Sequence, residues 1–328
     1  MRSIAANAIT LVIAIGVVIA GLALVAERRY RAPGPLAEET LFVVPRGATL
    51  DRVAEALESE GVIASAPLFR IGARYEGRAA DLRFGEYRVP AKASMAEVLD
   101  LLSSGRVVQY AVTAPEGLTS WEIVQILNET EVLTGEIAEI PPEGSLAPET
   151  YSVTRGETRA SVIARMQALQ EDILAEAWAS RHADIEVDSP EEALVLASII
   201  EKETGVAGER PHVSSVFHNR LRRGMRLQSD PTIIYGITEG EGGLGRPIRR
   251  SEINAPTPWN TYVIPGLPPT PIANPGRAAI FAAVQPIETE DLYFVADGEG
   301  GHAFARTLAE HNRNVAAWRA IERQRAGE

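Results

Sequence analysis

Cysteine is absent from the 328 residues, so no disulfide, thiolate nucleophile or thiolate ligand is available. That absence leaves the redox compartment open. Lysine is almost absent: only Lys92 and Lys202 stand among basic residues that are otherwise arginine. A Schiff-base enzyme would have to use one of these two, and neither has the surroundings of such a site. The five histidines, His182, His212, His218, His302 and His311, form no HExxH or comparable spacing, so no metal site is expected. His218, in "SSVFHNRL", reads as a partly buried polar residue. "GEGGLGRP" lacks the Gly-Lys-Ser/Thr that cradles phosphates, and no GxSxG elbow occurs. No cofactor is expected. Positive charge is short as well, 32 basic against 44 acidic residues for a net charge of −12, which argues against a nucleic-acid partner.

What is present begins with a long apolar run. Residues 4–26, "IAANAITLVIAIGVVIAGLALVA", are 23 residues without a charge, enough to span a bilayer as a helix. A signal peptide would carry a shorter apolar region and a small-residue cleavage site, and Val25-Ala26 is a poor one. The run therefore reads as a retained membrane anchor, with residues 1–3 a short end before it. Arg28, Arg29 and Arg31 outnumber Arg2 and the amino terminus, which by the positive-inside rule favours keeping the following domain in the cytoplasm. Large domains can translocate regardless of such charges, so the side of the membrane stays open on charge alone. Residues 27–40 read as a linker. An apolar fraction of 45% and a charged fraction of 23% are those of a globular protein, and the length allows two or more domains.

After the linker one pattern recurs. "VVPRGATLDRVAEAL" from Val43 and "TAPEGLTSWEIVQIL" from Thr113 align at an offset of seventy, Pro45 with Pro115, Gly47 with Gly117 and Thr49 with Thr119. "RVPAKASMAEVLDLL" is a looser copy containing Pro90 and Ser94. Each copy predicts a short strand, a turn, a Ser or Thr cap and a short amphipathic helix. Ser94 with Glu97 and Thr119 with Glu122 are spaced as capping boxes. The repeat is either packing economy or a small glycan-gripping module of the LysM type, placed at residues 41–107. Residues 108–328 form the second domain. There, helical patterns and short strands mix without regular alternation, which predicts an α+β fold.

"SPEEALVLASIIEKETG" carries the main chemical signal. Ser189 and Glu192 suit a capping box, Pro190 suits the first helical position, and "ALVLASII" is apolar all round and must be buried. Leu194, Ala197, Ser198 and Glu201 share one face. Apolar neighbours and the negative end of the helix dipole would both raise the pKa of Glu201, as general acid catalysis on a glycosidic oxygen requires. The alternative is a solvated tip formed by Glu201, Lys202 and Glu203. In "RLQSDPTIIYG", Gln228, Ser229 and Asp230 form a turn that either binds sugar or organises its loop. "NTYVIPGLPPTPIANPG" offers Asn260 and Tyr262, the residue types that line sugar clefts, on what is either a groove wall or a structural strap.

"LASIIEKETGVAGERPHVSSVFHNRLRRGMRLQSDPTIIYGI", with "NTYVIPGLPPTPIANPG" and "GGHAFARTLAEHN", resembles the endolytic murein transglycosylase (YceG-like) family over nearly the whole chain. The resemblance implies a single-pass inner-membrane protein whose large C-terminal domain faces the periplasm and cell wall. It implies cleavage of nascent peptidoglycan between N-acetylmuramic acid and N-acetylglucosamine, leaving a 1,6-anhydro end and terminating strand elongation. It places the catalytic glutamate at the first Glu of "EKET", Glu201, and aligns Gln228, Ser229 and Asp230 with a family loop. Association with peptidoglycan synthases is implied by resemblance only. "EGSLAPETY" departs from the family pattern, with Ser145, Ala147 and Glu149 in place of two aromatics and an aspartate. A non-catalytic peptidoglycan-binding scaffold and a hydrolytic muramidase remain alternatives. The hydrolase would need a second carboxylate, for which Glu203, Glu209 and Asp230 are candidates.

Overall fold

The computed structural model describes residues 2–327; Met1, part of the expected short end at residues 1–3, lies outside the described residues. The elements in chain order are α1 (Arg2–Arg31), β1 (Thr40–Val44), α2 (Leu50–Ser59), α3 (Ala66–Tyr75), β2 (Gly85–Val89), α4 (Met95–Ser104), β3 (Gln109–Thr113), α5 (Ser120–Glu129) and β4 (Thr150–Thr154). They continue with α6 (Arg159–Ala179), α7 (Pro190–Glu203), α8 (Arg210–Arg222), α9 (Asp230–Thr238), α10 (Arg250–Ile253), α11 (Arg277–Val284), β5 (Tyr293–Ala296), β6 (His302–Ala305) and α12 (Leu308–Ala326). The fold is mixed α+β, with the strands in three two-stranded sheets, β1-β2, β3-β4 and β5-β6. The chain divides into two compact units. The first runs up to Tyr110 and adds Val153–Glu157; the second takes Ala111–Ser152 and Thr158–Glu328.

In the first unit β1 pairs antiparallel with β2, Phe42 opposite Tyr87. Those two rings, with Leu57, Phe69, Leu99 and Leu102, are fully buried in one core. Tyr87 satisfies its hydroxyl there between two acceptors, the carbonyls of Arg83 (2.8 Å) and Leu102 (3.1 Å), which share its one proton. Within α1 the stretch Ile9–Arg31 is long and apolar enough to cross a bilayer. The helix does not stop at residue 26. It continues through the start of the expected linker, and Tyr30 enters the core of the unit. Gly34 is held close by, its N–H donating to the Lys92 carbonyl at 3.0 Å.

The recurring pattern folds as expected at all three places, with Thr49, Ser94 and Thr119 as N-caps and both capping boxes formed. The structure adds a fourth copy, β4 followed by the Thr158 cap of α6, from "VTRGET" at Val153. The shared device is backbone conformation. Two residues before each cap the chain turns left-handed, at Gly47 (φ 76°), Lys92 (58°), Gly117 (76°) and Gly156 (83°). In three copies the N–H after that residue closes a turn, Ala48 to Pro45, Ala93 to Pro90 and Glu157 to Thr154. Glycine suits this position because a side chain there is strained, and Lys92 is the exception that makes this copy look looser in sequence.

In the second unit, α7 packs chiefly on α11 and also on α6, α8 and α9. Val195, Leu196, Ile199 and Ile200 are all buried. Each contributes roughly 1.5–3 kcal/mol, enough to fix the register in which the charged end of α7 is delivered. Ser189 caps it as predicted, but Glu192 reaches back to the Asp188 N–H and not to that of Ser189. "SDPTIIYGI" is helix α9 where the sequence suggested an irregular loop, because Pro231 sits in its first turn, where proline is tolerated. The proline-rich segment after Asn260 has no regular structure.

If the left-handed turn is the constraint, an added Cβ should matter by backbone strain alone. An alanine side chain at Gly47 would meet no atom within 4 Å, and the same is true at Gly243, whose φ is not left-handed. Gly47→Ala is expected to cost about 1 kcal/mol in urea unfolding, and Gly243→Ala to cost nothing measurable or to stabilise slightly.

Candidate active site

The end of α7 places Glu201 where both of its carboxyl oxygens are engaged. Oε1 accepts from Arg210 Nη2 at 3.0 Å, and Oε2 accepts from the Gly276 N–H at 2.9 Å. Its side chain is 5% exposed, so the solvated-tip reading fails for this residue. Lys202 is exposed and donates through Nζ to the Gly117 carbonyl at 3.0 Å. Arg210, at the start of α8, is buried, and the same Nη2 lies 3.4 Å from Glu116 Oε2. Its Nε is buried without a partner.

Two segments close around this group. Glu116 stands in the turn between β3 and α5, and that turn is tied down by the Gly117 N–H to the Asn274 carbonyl and the Asn274 N–H to the Leu118 carbonyl. Asn274 is wholly buried. Its Oδ1 accepts from the Leu146 N–H, and its Nδ2 lies within reach of Leu118 O, Ser120 Oγ and Glu143 Oε1. The proline-rich strap is therefore pinned at Asn274, two residues before the Gly276 N–H that holds Glu201. A Cβ at Gly276 would fall 1.9 Å from Glu116 Oε1, so a side chain there would displace the Glu116 carboxyl. Ala147, one of the departures noted in "EGSLAPETY", is buried, and its carbonyl accepts from the Tyr151 hydroxyl at 2.8 Å.

The other carboxylates near the end of α7 have different environments. Glu203 accepts from Ser229 Oγ at 2.5 Å, and burial pushes its carboxyl up to about 7 against the Ser229 hydrogen bond. Burial also works to raise Glu209, but hydrogen bonds from the His302 ring and N–H (2.7 and 2.8 Å) prevail and hold it below the usual range. Glu116 is raised by partial burial and then by the charge of Glu201, against the pull of Arg210.

The remaining predicted residues separate into inward and outward groups. Ser229 is buried and its hydroxyl is spent on Glu203. Asn260 is buried as well. Its Nδ2 lies within 3.4 Å of three backbone carbonyls, of Glu252, Ile253 and Ala255, and its Oδ1 accepts from the Tyr262 N–H, so the geometry gives it a loop-organising role. Gln228 (φ 53°) and Asp230 are exposed, and the Tyr262 hydroxyl donates to Asp230 Oδ1 at 2.6 Å. His218 is buried, flanked by the Glu186 N–H and the Ala283 carbonyl, and burial lowers its pKa. Glu116, Arg210, Asn274 and Gly276 were not singled out from sequence. Their available signals were the Glu in the second repeat's turn, the Arg before Pro211 and the Asn-Pro-Gly of the strap.

This arrangement, a buried glutamate held by an arginine and a backbone N–H beneath a proline-rich strap, lies within the segment that defines a known family. The chain belongs to the YceG-like family, whose profile matches residues 42–317. It is 29% identical over 301 residues to the endolytic murein transglycosylase of Bacillus subtilis (strain 168), covering 82% of each chain. It is also 29% identical over 322 residues to the protein of that name from Streptococcus pneumoniae serotype 2 (strain D39), covering 83% of this chain and 57% of that one. A crystal structure of a YceG-like protein from Listeria monocytogenes matches with a TM-score of 0.51 and 27% identity, over 84% of this chain and 99% of that one.

Glu203 makes a pH signature measurable. It holds its proton more tightly folded than unfolded, so its stabilising contribution is full below its ordinary value of 4.5 and is lost as pH rises through about 7. The loss amounts to roughly 3 kcal/mol at most. Glu203→Gln is expected to flatten the fall in melting temperature between about pH 5 and about pH 8, read by thermal melts across that range. An unchanged slope would remove Glu203 as its source.

Proposed function

We propose that this chain is a membrane-anchored lytic transglycosylase that cuts peptidoglycan glycan strands internally, between N-acetylmuramic acid and N-acetylglucosamine, leaving a 1,6-anhydro end. The observation that carries the reading is Glu201 at the end of a buried helix, with one oxygen on Arg210 and the other on the Gly276 N–H. Family membership and the names of the relatives support it.

The chemistry needs no activated water. The muramic acid C6 hydroxyl attacks C1 while the bond from C1 to the leaving oxygen breaks. An intramolecular nucleophile so placed has an effective molarity of roughly 10⁵ M or more. What remains is proton transfer: one proton leaves the C6 hydroxyl and one reaches the departing oxygen. In the minimal scheme Glu201 serves both, protonating the departing oxygen and then taking the C6 hydroxyl proton. Gln228, Asp230 and Tyr262 would orient sugar. Ser229 and Asn260 would act beneath them, holding the loop.

In the same reading, α1 spans the inner membrane once and residues 108–328 act on the periplasmic side, on nascent strands whose elongation they end. Residues 41–107 would grip glycan as a LysM-like module. Peptidoglycan synthases would be the neighbouring machinery.

Digestion of peptidoglycan by the wild type beside Glu201→Gln, with mass analysis of the products, tests the reading. Anhydro ends from wild type and a loss of at least ~100-fold in the variant are expected. Reducing ends would identify a hydrolase. Binding without cleavage by wild type would identify a scaffold, and equal products from both proteins would take Glu201 out of the mechanism.

A further inference from the structure

Resting on the reading of Glu201 as the proton acceptor, we propose that Glu116 is a second catalytic residue, the acid that protonates the leaving sugar oxygen. The geometry is a shared guanidinium: Arg210 Nη2 lies 3.0 Å from Glu201 Oε1 and 3.4 Å from Glu116 Oε2. The two carboxyl groups are thus joined through one nitrogen, although 85 residues separate them in sequence. They differ in access. The Glu201 side chain is 5% exposed and has donors on both oxygens, whereas that of Glu116 is 46% exposed. Of the pair, Glu116 is the one open to a group arriving from solvent.

Its position is built. The turn that carries it is fastened through the N–H of Gly117 to Asn274, and through the carbonyl of Gly117 to Lys202 Nζ. The glycine at 276 leaves the space that the Glu116 carboxyl occupies. Partial burial and the neighbouring Glu201 charge favour its protonated form, the form an acid needs. Glu203, although it too holds a proton readily, has its carboxyl enclosed and spent on Ser229. Two positions along the helix from Glu201, it also faces another side of α7.

The step balances without water. The bond from C1 to the leaving oxygen breaks, and that oxygen keeps the electron pair and takes the Glu116 proton. The C6 oxygen bonds to C1 and gives its proton to Glu201. The products are a 1,6-anhydro end and a free hydroxyl, with Glu116 ionised and Glu201 protonated. Passage of that proton from Glu201 to Glu116, through water beside their common arginine, restores the resting state.

The test uses the full chain in detergent and two substrates, natural glycan strands and a short strand whose terminal muramic acid carries a dinitrophenyl aglycone. That leaving group departs as a stable anion and needs no acid. Glu116→Gln is expected to lose ~100-fold or more in kcat on glycan strands and to keep near wild-type kcat on the aryl substrate. Glu201→Gln should lose both, and Glu203→Gln should lose neither. Full activity of Glu116→Gln on glycan strands would overturn the proposal, as would equal losses on both substrates, the mark of a structural role. With Glu201→Gln inactive, either result leaves the proposed function standing. An active Glu201→Gln would take Glu201 out of the mechanism and this proposal with it.

Discussion

The candidate site is organised around the buried guanidinium of Arg210. Taking a guanidinium out of water is costly unless carboxylates and hydrogen bonds replace its solvent, and Arg210 has Glu201 within 3.0 Å and Glu116 within 3.4 Å. That requirement draws together parts of the chain with no reason of their own to meet. The end of α7 brings Glu201, the turn after β3 brings Glu116, and the strap brings the Gly276 N–H to the remaining Glu201 oxygen. The apolar burial of α7 supplies the rigidity. Asn274, with bonds to two segments, at Leu118 and at Glu143 and Leu146, keeps the strap from drifting off the site it closes.

Around this centre the same side-chain type is tuned in several directions over a short stretch of helix and turn. Glu203 is raised because it is enclosed with a single hydroxyl donor. Glu209 is lowered because His302 donates to it twice. Glu116 is raised by partial burial and then by the charge of Glu201. A carboxyl group takes its character from the donors and charges at its oxygens more than from its place at a helix end.

Much of this was legible in the sequence wherever the cause was local. Caps at Thr49, Ser94, Thr119 and Ser189 form within one turn of chain. An all-apolar helix must be buried, so the depth of α7 follows from its own residues. Lys92 concealed a left-handed turn because its side chain gives no sign of its φ, and the fourth copy at Val153 has Thr154 where the other three have proline. The site was half legible. Glu201 announced itself by adjacency to an apolar run, whereas Glu116, Arg210 and Gly276 meet it only through tertiary contact. Asn260 and Ser229 have the composition of sugar ligands, but burial assigns their polar atoms to the backbone and to Glu203. No residue type reveals which way it faces.

The path of α1 has a mechanical consequence. The helix runs unbroken from Arg2 to Arg31, and Tyr30 is locked into the core of the first unit. At 1.5 Å per residue it is a rod of about 45 Å whose upper end is part of the domain it carries. Seated in a bilayer, such a rod allows the first unit no slack. Its height above the lipid is set by the depth of one helix, and its sweep is limited to rotation and tilt about that axis. There a flexible leash would let the unit wander through a volume, whereas a stalk of this kind would act as a gauge and hold it at one altitude.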